Sequence, residues 1–169
     1  WIAPLEDSIR EWTRQNHPVV GICFGHQIMA QALGGVVQKS DRGWGVGLHT
    51  YDMAATAPSW MTRSPQDQAQ QFSCAVSHKD QVVRLPPAAQ RIAGSDFCPN
   101  GVIAYEKVLA LSFQMHPEFE TDFALDLMAA RKESIPQEVR EMGEASYQKP
   151  SDRLRIAEWM KIFFDRHAA

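Results

Sequence analysis

The first third of the chain alternates between helical and extended hydrophobic patterns. Leu5, Ile9 and Trp12 recur at helical spacing, which predicts a helix over 4–15. The unbroken apolar run over 19–22 predicts a short buried strand. The apolar stripe after it, which stops at a pair of glycines, predicts a second helix. A strand, a tight turn and a helix in this order are typical of α/β folds.

The middle of the chain has the short apolar runs of a β-rich region. In the last of these runs, Leu111, Phe113 and Met115 alternate with polar neighbours, which is the period of a strand. The polar stretch over 54–70 predicts a surface loop or a short helix. The segments predicted as strands are 36–37, 46–53, 72–77, 90–94, 102–105 and 108–116.

Three helices are predicted near the end of the chain. Thr121 is placed to cap the first of them, which would bury Phe123. Ser134 and Gln137 have the spacing of a capping box at the start of the second. The apolar stripe of the third helix consists of Ile156, Trp159, Met160 and Phe163.

Together these patterns predict a three-layer α/β fold with a doubly wound, mostly parallel sheet of flavodoxin-like layering. Helices that follow strands are expected to cover both faces of such a sheet. The β-rich middle of the chain is an excursion from that plan. The chain has 169 residues, and we assign all of them to one domain, since a domain commonly has about 100–200 residues.

Composition and charge narrow the functional classes. Seventeen Lys and Arg against twenty Asp and Glu give a net charge of −3, which argues against a nucleic-acid partner. No apolar run approaches the roughly 20 residues of a membrane helix, so no membrane partner is expected. The three cysteines are an odd number and form no disulfide framework. A cytoplasmic, reducing setting is therefore the expected location.

The segment Gly21-Ile-Cys-Phe-Gly25 falls at the predicted turn between the first strand and the second helix. A nucleophile elbow holds one reactive side chain on such a turn, and the residues two positions to either side of it must be small. Gly21 and Gly25 meet that requirement. The start of the helix would favour the thiolate of Cys23 and would aim the Phe24 N–H at a developing oxyanion. The alternative is a buried structural cysteine in a glycine-rich turn.

A cysteine nucleophile needs a general base and a group that orients the base. His116 ends the last predicted strand, where the ligand edge of an open α/β sheet lies. Glu118 follows two residues later and is placed to hold the imidazole and stabilise its charged form. The alternative for His116 is a structural histidine near the sheet edge, with Glu118 as a solvated charge at a helix start.

Other histidines and metal ligation fit this chemistry less well. His26 would point along the second helix rather than at the sulfur, and His78 is expected in a loop after a strand, where it would support the site. No HExxH or Cys-x-x-Cys spacing suggests a metal site. No metal or other cofactor is expected.

Three segments resemble the motifs of class I glutamine amidotransferases. The nucleophile segment Gly21-Ile-Cys-Phe-Gly-His-Gln27, the substrate-loop segment Val76-Ser-His-Lys-Asp-Gln-Val82 and the His/Glu segment Phe113-Gln-Met-His-Pro-Glu118 occur in the family's order. The resemblance runs from about Trp1 to Phe123 and is nearest to the glutaminase domains of GMP synthetases and their stand-alone relatives. A PfpI-like peptidase is disfavoured because Phe24 stands where that family carries a histidine.

The resemblance implies a glutaminase reaction. Cys23 would attack the side-chain amide of L-glutamine, His116 would move the proton from the thiol to the leaving ammonia, and Glu118 would hold His116. A γ-glutamyl thioester would form and be hydrolysed. The family analogy also assigns one oxyanion donor to the Phe24 N–H. It assigns the amino-acid end of the substrate to Gln27 and to the backbone around Ser77, Lys79 and Asp80.

Two features depart from the family pattern. The family's further βα units and the loop with its second oxyanion donor have no counterpart ahead of Trp1, so we expect a domain whose N-terminal part is missing from these residues. Lys79 stands where GMP-synthetase relatives carry glycine, which implies a difference in substrate choice. No ATP-binding synthetase region follows, so the ammonia acceptor would be water or would come from a synthetase partner chain.

Two other functions stay open at the level of sequence. A γ-glutamyl peptide hydrolase would use the same triad on the same γ-carbonyl. A non-catalytic binding module would retain the fold alone, although the presence of Cys23, His116 and Glu118 argues against it.

Overall fold

Helices and strands alternate at the start of the chain and give way to a run of strands, as predicted. The computed structural model describes residues 1–61 and 70–168. The predicted loop over 54–70 includes residues 62–69, which lie outside the described residues. The helices are α1 (Ile2–Arg14), α2 (Phe24–Ala32), α3 (Thr121–Ala130), α4 (Gln137–Ser146) and α5 (Arg153–His167). The strands are β1 (Val19–Ile22), β2 (Val36–Lys39), β3 (Gly45–Met53), β4 (Gln71–His78), β5 (Asp80–Arg84), β6 (Ala89–Gly94), β7 (Val102–Tyr105) and β8 (Ala110–Phe113).

Six of these strands form the central sheet, in the order β1-β8-β7-β6-β3-β4, and β2 and β5 form a separate ribbon. The α/β class is confirmed, but the expected predominance of parallel pairs is wrong. Among the described residues, one of the five neighbouring pairs in the central sheet, β1 with β8, is parallel. The short connections over 95–101 and 106–109 explain why β6-β7 and β7-β8 are antiparallel, since a parallel pair needs a crossover of about a dozen residues or more.

Helices cover both faces of the central sheet, which gives the predicted three layers. Along β7, Val102 packs in the core beneath α5, whereas its neighbour Ile103 packs in the core beneath α1 and α2. The predicted stripe of α5 is confirmed, because Ile156, Trp159 and Phe163 are all buried. The last residues of β8 and of β4 therefore lie between two covered faces.

The starts of two predicted helices need correction. Helix α3 begins at Thr121 with Glu120 as its cap residue, and α4 begins at Gln137 with Pro136 before it; neither has a side-chain cap. Helix α3 buries Ala124 and Met128 and leaves Phe123 exposed, because its inner face is turned by one position from the predicted one. No helix within the described ranges is long and apolar enough to cross a membrane.

Candidate active site

Cys23 stands at the junction of β1 and α2, on the predicted sharp turn. Its backbone has φ 48° and ψ −97°, a region that non-glycine residues rarely adopt. Its N–H donates to the carbonyl of Phe113, the last residue of β8, at 2.8 Å. Strain of about 1–3 kcal/mol at such a residue persists where the surrounding structure enforces it, and it is concentrated at functional sites.

The two glycines of the turn play different parts. A Cβ on Gly21 would collide with Met29 Sδ and would lie 2.6 Å from the backbone of Gly25, so this position excludes any side chain. A Cβ on Gly25 would meet nothing within 4 Å. The requirement for a small residue is therefore confirmed at Gly21. The expectation that Gly25 must be small is wrong, because its Cβ direction points into open space.

His116 and Glu118 lie beside this turn and contact each other. Nδ1 of His116 is 2.6 Å from Oε1 of Glu118. The imidazole stacks on the ring of Phe119 at 4.0 Å between centroids, and the His116 N–H donates to the carbonyl of Ala75 at 2.8 Å. The Cys23 thiol is near enough to His116 to raise the pKa of its imidazole. Since Nδ1 is engaged by Glu118, Nε2 is the ring nitrogen left for the sulfur.

The electrostatics of the three side chains favour a charged imidazole. Burial disfavours the imidazolium, but the hydrogen bonds and charges of Cys23 and Glu118 outweigh it and raise the pKa of His116 to about 9. Burial likewise opposes ionisation of Glu118, but the hydrogen bond from His116 outweighs it and lowers the pKa of that carboxyl. The arrangement therefore stabilises an imidazolium beside the carboxylate of Glu118 and the sulfur of Cys23.

Phe24 begins α2 directly after the sulfur-bearing residue. The first N–H groups of a helix have no acceptor inside the helix, and the helix dipole is positive there. The Phe24 N–H is therefore suited to receive negative charge that develops next to Cys23. Its ring is exposed and lies 5.4 Å from the ring of Trp1.

Gln27 and Asp80 meet through a hydrogen bond that joins α2 to the start of β5. Gln27 Nε2 donates to the carbonyl of Asp80 at 2.7 Å and lies 3.3 Å from Oε1 of Gln114. Gln114, fully buried, also donates from Nε2 to the sulfur of Cys23 at 3.7 Å. A continuous amide network thus connects the predicted substrate loop to the thiol.

Ser77, in β4, and Lys79, directly after β4, contact Arg131 and Trp44 respectively. Ser77 Oγ accepts a hydrogen bond from Arg131 at 2.9 Å. The ammonium of Lys79 lies 5.1 Å from the centre of the Trp44 ring, and the guanidinium carbon of Arg131 lies 5.9 Å from the same centre. The two residues predicted to bind substrate are thereby tied to the end of α3 and to the start of β3.

His78 was expected in a loop after a strand, but the structure places it in a strand. It is the last residue of β4, it is buried, and its Nδ1 lies 3.2 Å from the carbonyl of Asp80. Burial lowers the pKa of His78 to about 4, with help from the neighbouring charge of His49. A short link between β4 and β5 is the physical reason, since only Lys79 separates the two strands.

The remaining cysteines and His26 are packed in the core. Burial raises the pKa of both Cys74 and Cys98 to about 12, which makes them poor nucleophiles. His26 is fully buried, its Nδ1 lies 2.8 Å from Ser112 Oγ, and burial lowers its pKa to about 3. Cys23 is the half-buried member of the three cysteines. The thiol that can meet a solute is therefore the one beside His116.

Sequence reasoning missed Gln114 and Arg131 as members of this site. A signal for Gln114 was present, because the alternation of the last strand places it on the same face as His116. The residues of that face are polar in sequence, yet Ser112 and Gln114 are fully buried. Arg131 had no signal, since its contact with Ser77 joins residues 54 positions apart.

Comparison with known proteins places this geometry in context. The family model described as "Glutamine amidotransferase class-I" matches residues 4–135. A putative glutamine amidotransferase of Saccharomyces cerevisiae is 32% identical over 127 residues, which cover 73% of this chain and 48% of the yeast protein. A glutamine-hydrolyzing GMP synthase subunit of Methanospirillum hungatei is 34% identical over 113 residues, which cover 67% of this chain and 57% of the archaeal protein. Gamma-glutamyl peptidase 2 of Arabidopsis thaliana is 30% identical over 128 residues, which cover 76% of this chain and 50% of the plant protein.

A solved structure agrees with the fold. A glutamine amidotransferase from Thermotoga maritima superimposes with a TM-score of 0.70 over 99% of this chain and 70% of that one, at 19% identity. At this identity the likeness concerns the fold alone. The chain spans about half the length of the curated relatives that it matches.

Proposed function

The chain belongs to the class I glutamine amidotransferase family, and on that premise we propose that it cleaves the C–N bond of a γ-glutamyl amide, with L-glutamine as the first candidate substrate. The family model covers most of the chain, including the substrate loop and all three residues of the candidate triad. Cys23, His116 and Glu118 would act as that catalytic triad.

In the first half of the proposed reaction, the sulfur of Cys23 attacks the side-chain carbonyl carbon of glutamine. In the proposed starting state the thiol proton already lies on Nε2 of His116, because the pKa of His116 is raised to about 9, and Glu118 holds the imidazolium in place. The negative charge on the carbonyl oxygen is received by the Phe24 N–H at the start of α2. The C–N bond then breaks as His116 returns the proton to the leaving nitrogen, which yields ammonia and a γ-glutamyl thioester.

The second half reverses the roles with water as the nucleophile. His116, which is neutral after giving up its proton, removes a proton from water, and the water attacks the thioester carbonyl. The C–S bond then breaks, glutamate is released, and the sulfur of Cys23 is again paired with the imidazolium of His116. Gln27 and the backbone around Ser77, Lys79 and Asp80 would hold the amino-acid end of the substrate throughout both halves.

The observation that carries this proposal is the strained backbone of Cys23 beside a charged imidazole. The φ of 48° sets the sulfur at the start of α2, and the raised pKa of His116 keeps the imidazole protonated at neutral pH. A structural cysteine needs neither feature. The same observation argues against a non-catalytic binding module, since such a module gains nothing from strain at Cys23.

The fate of the ammonia is a separate part of the proposal. Relatives that are named as GMP synthase subunits hydrolyse glutamine according to their names. By analogy, a synthetase partner chain would take up the ammonia made here. Without such a partner, the reaction would be a simple glutaminase.

A second candidate is hydrolysis of a γ-glutamyl peptide. It is favoured by the pair of cations that Lys79 and Arg131 place beside the substrate loop, and relatives carry the name gamma-glutamyl peptidase. The triad chemistry would be the same, with an amino acid or peptide as the leaving group in place of ammonia.

The direct test is release of glutamate from L-glutamine by the full-length gene product. We expect release that is abolished by Cys23→Ala and strongly reduced by His116→Asn, with Cys98→Ala as the matched control. Release that survives Cys23→Ala would contradict the assignment of the nucleophile. If the folded protein cleaves neither glutamine nor a γ-glutamyl peptide, the proposed reaction is wrong.

A further inference from the structure

Beside the candidate substrate loop, two cationic side chains lie on one indole ring. Lys79 Nζ is 5.1 Å from the centre of the Trp44 ring, and Arg131 Cζ is 5.9 Å from it. We propose that Lys79 and Arg131 form a receptor for the C-terminal carboxylate of a γ-glutamyl peptide, so that peptides of this class are preferred over free glutamine. The inference rests on the proposed C–N bond cleavage and specifies its substrate.

The indole is a fixed platform. Its Nε1 donates to the carbonyl of Ser134 at 2.7 Å, and the ring packs against a small core formed by Val46, Met128 and Ile135. Pairing of β3 with β4 places Gly45 opposite His78, which brings the preceding Trp44 alongside Lys79. An aromatic face attracts a cation by about 0.5–2 kcal/mol and thereby restricts where both charges lie.

The receptor is connected to the triad through β4. The Ala75 carbonyl accepts the backbone N–H of His116, and Ser77, two residues further along, accepts a hydrogen bond from Arg131. Residues two positions apart on a strand are about 7 Å apart. His116 and Arg131 thus bond to β4 two residues apart, so Arg131 is a neighbour, along the strand, of the group that would protonate the leaving nitrogen.

Neither cation has an ion-pair partner among the residues that the structure describes. Arg131 uses one N–H on Ser77, and a guanidinium has five N–H donors in a fork that fits a carboxylate. The remaining donors and the ammonium of Lys79 therefore suit an anion from outside the protein.

The leaving group of glutamine gives this receptor nothing to bind, because ammonia carries no carboxylate. A γ-glutamyl peptide places a carboxylate beyond the scissile nitrogen, within about 3 Å of it in a dipeptide and further in a tripeptide. The α-carboxylate of the γ-glutamyl group is assigned to the loop backbone under the proposed function. The terminal carboxylate of the peptide is the anion that needs the two cations.

The test compares charged and neutralised substrates. Rates are measured with γ-glutamylglycine and γ-glutamyl-alanylglycine, each alongside its C-terminal amide, and with L-glutamine. We expect Arg131→Gln to lower the ratio of kcat/KM for at least one free peptide to that for its amide by about tenfold to a hundredfold, the effect of one charge-assisted hydrogen bond. Arg131→Lys should restore part of the loss, since it keeps the charge without the fork.

Lys132→Gln is the matched control, because it removes one positive charge from the adjacent exposed residue. It should change every rate by less than about twofold. An equal loss on peptides and amides in Arg131→Gln would overturn the receptor. A loss of kcat/KM of the same size with glutamine in Arg131→Gln would indicate that Arg131 binds the α-carboxylate of the γ-glutamyl group. That result would also overturn the receptor.

A binding measurement separates this inference from the proposed reaction. Cys23→Ala protein cannot turn substrate over, so calorimetric titration with γ-glutamylglycine, γ-glutamyl-alanylglycine and their amides reports recognition alone. Tighter binding of a free peptide than of its amide, lost in Cys23→Ala/Arg131→Gln, supports the receptor even if no cleavage is found. Equal affinities for both forms contradict the receptor even if cleavage is found.

Discussion

Nδ1 of His116 lies 2.6 Å from Oε1 of Glu118, and the side chain of Glu118 is half exposed to solvent. The contact fixes the orientation of the imidazole and leaves Nε2 for the sulfur of Cys23. It also contributes to the pKa of about 9 for His116. The charge of the imidazole at neutral pH therefore depends on both of its neighbours.

Removing the carboxylate should move the pH profile of activity. His116 must be protonated to release the leaving nitrogen, so activity of the native enzyme is expected to fall as the pH rises through about 9. Glu118→Gln removes the contribution of Glu118 to the raised pKa of His116, so activity should begin to fall at a lower pH. Activity at neutral pH should drop on the order of 10²-fold. The pH dependence of kcat/KM in both proteins measures this, and an unchanged midpoint would contradict the role of Glu118.

Gly21 should be intolerant of any side chain. Gly21→Ala forces a Cβ against Met29 and against the Gly25 backbone at 2.6 Å, and overpacking of this kind costs about 1–3 kcal/mol of unfolding free energy. Gly25→Ala is the control, since its Cβ meets nothing within 4 Å. Urea denaturation should give a loss for the first variant and a change within about 0.5 kcal/mol for the second. Equal losses would show that the turn is not as tight as described.

Gln114 should support the thiol from a buried position. It donates to the sulfur of Cys23 at 3.7 Å and accepts from Gln27 at 3.3 Å. Gln114→Glu puts a negative charge next to the sulfur and should slow alkylation of Cys23 by iodoacetamide by about tenfold at neutral pH. Gln114→Met, which keeps the volume without the charge, should slow it less. Identical alkylation rates in all three proteins would exclude Gln114 from the site.

Acid should destabilise the fold through two buried histidines, His26 and His78, and the half-buried His49. Burial lowers the pKa of His26 to about 3 and that of His49 and His78 to about 4. In the unfolded chain the histidines have a pKa of about 6.5, so below that pH the unfolded state binds protons that the folded state does not bind. The free energy of unfolding therefore falls as the pH drops from about 6.5 to about 4. His49→Gln should flatten this dependence, and His17→Gln, at an exposed position, should not. Urea denaturation midpoints of the native protein and the two variants at about pH 7.5 and about pH 5 measure this dependence. An equal drop in midpoint for all three proteins would contradict the role of His49.

The candidate triad was predictable from sequence because each member has a local signature. Gly21 and Cys23 mark a turn between a strand and a helix, and His116 with Glu118 ends an alternating strand. Such patterns depend on neighbours within a few residues, so one chain suffices to read them. The α/β class follows from the same kind of pattern.

Long-range pairing was not predictable in the same way. The sheet was expected to be mostly parallel, but the short links on either side of β7 impose antiparallel neighbours. Gln114 and Arg131 enter the site through contacts with residues 91 and 54 positions away. Nothing in the local sequence indicates such a contact. Because both faces of β8 are covered, its polar face with Gln114 is buried, which the alternation of polar and apolar residues does not reveal.

The central claim is that Cys23 is the nucleophile that attacks a γ-glutamyl carbonyl. It is tested most directly by incubating the protein with a glutamine analogue in which a chloroketone replaces the side-chain amide, followed by peptide mass spectrometry. We predict a single adduct on Cys23, formed more slowly in excess glutamine or γ-glutamyl peptide, with Cys74 and Cys98 unmodified. No adduct on Cys23, or labelling of all three cysteines without protection by substrate, would contradict it.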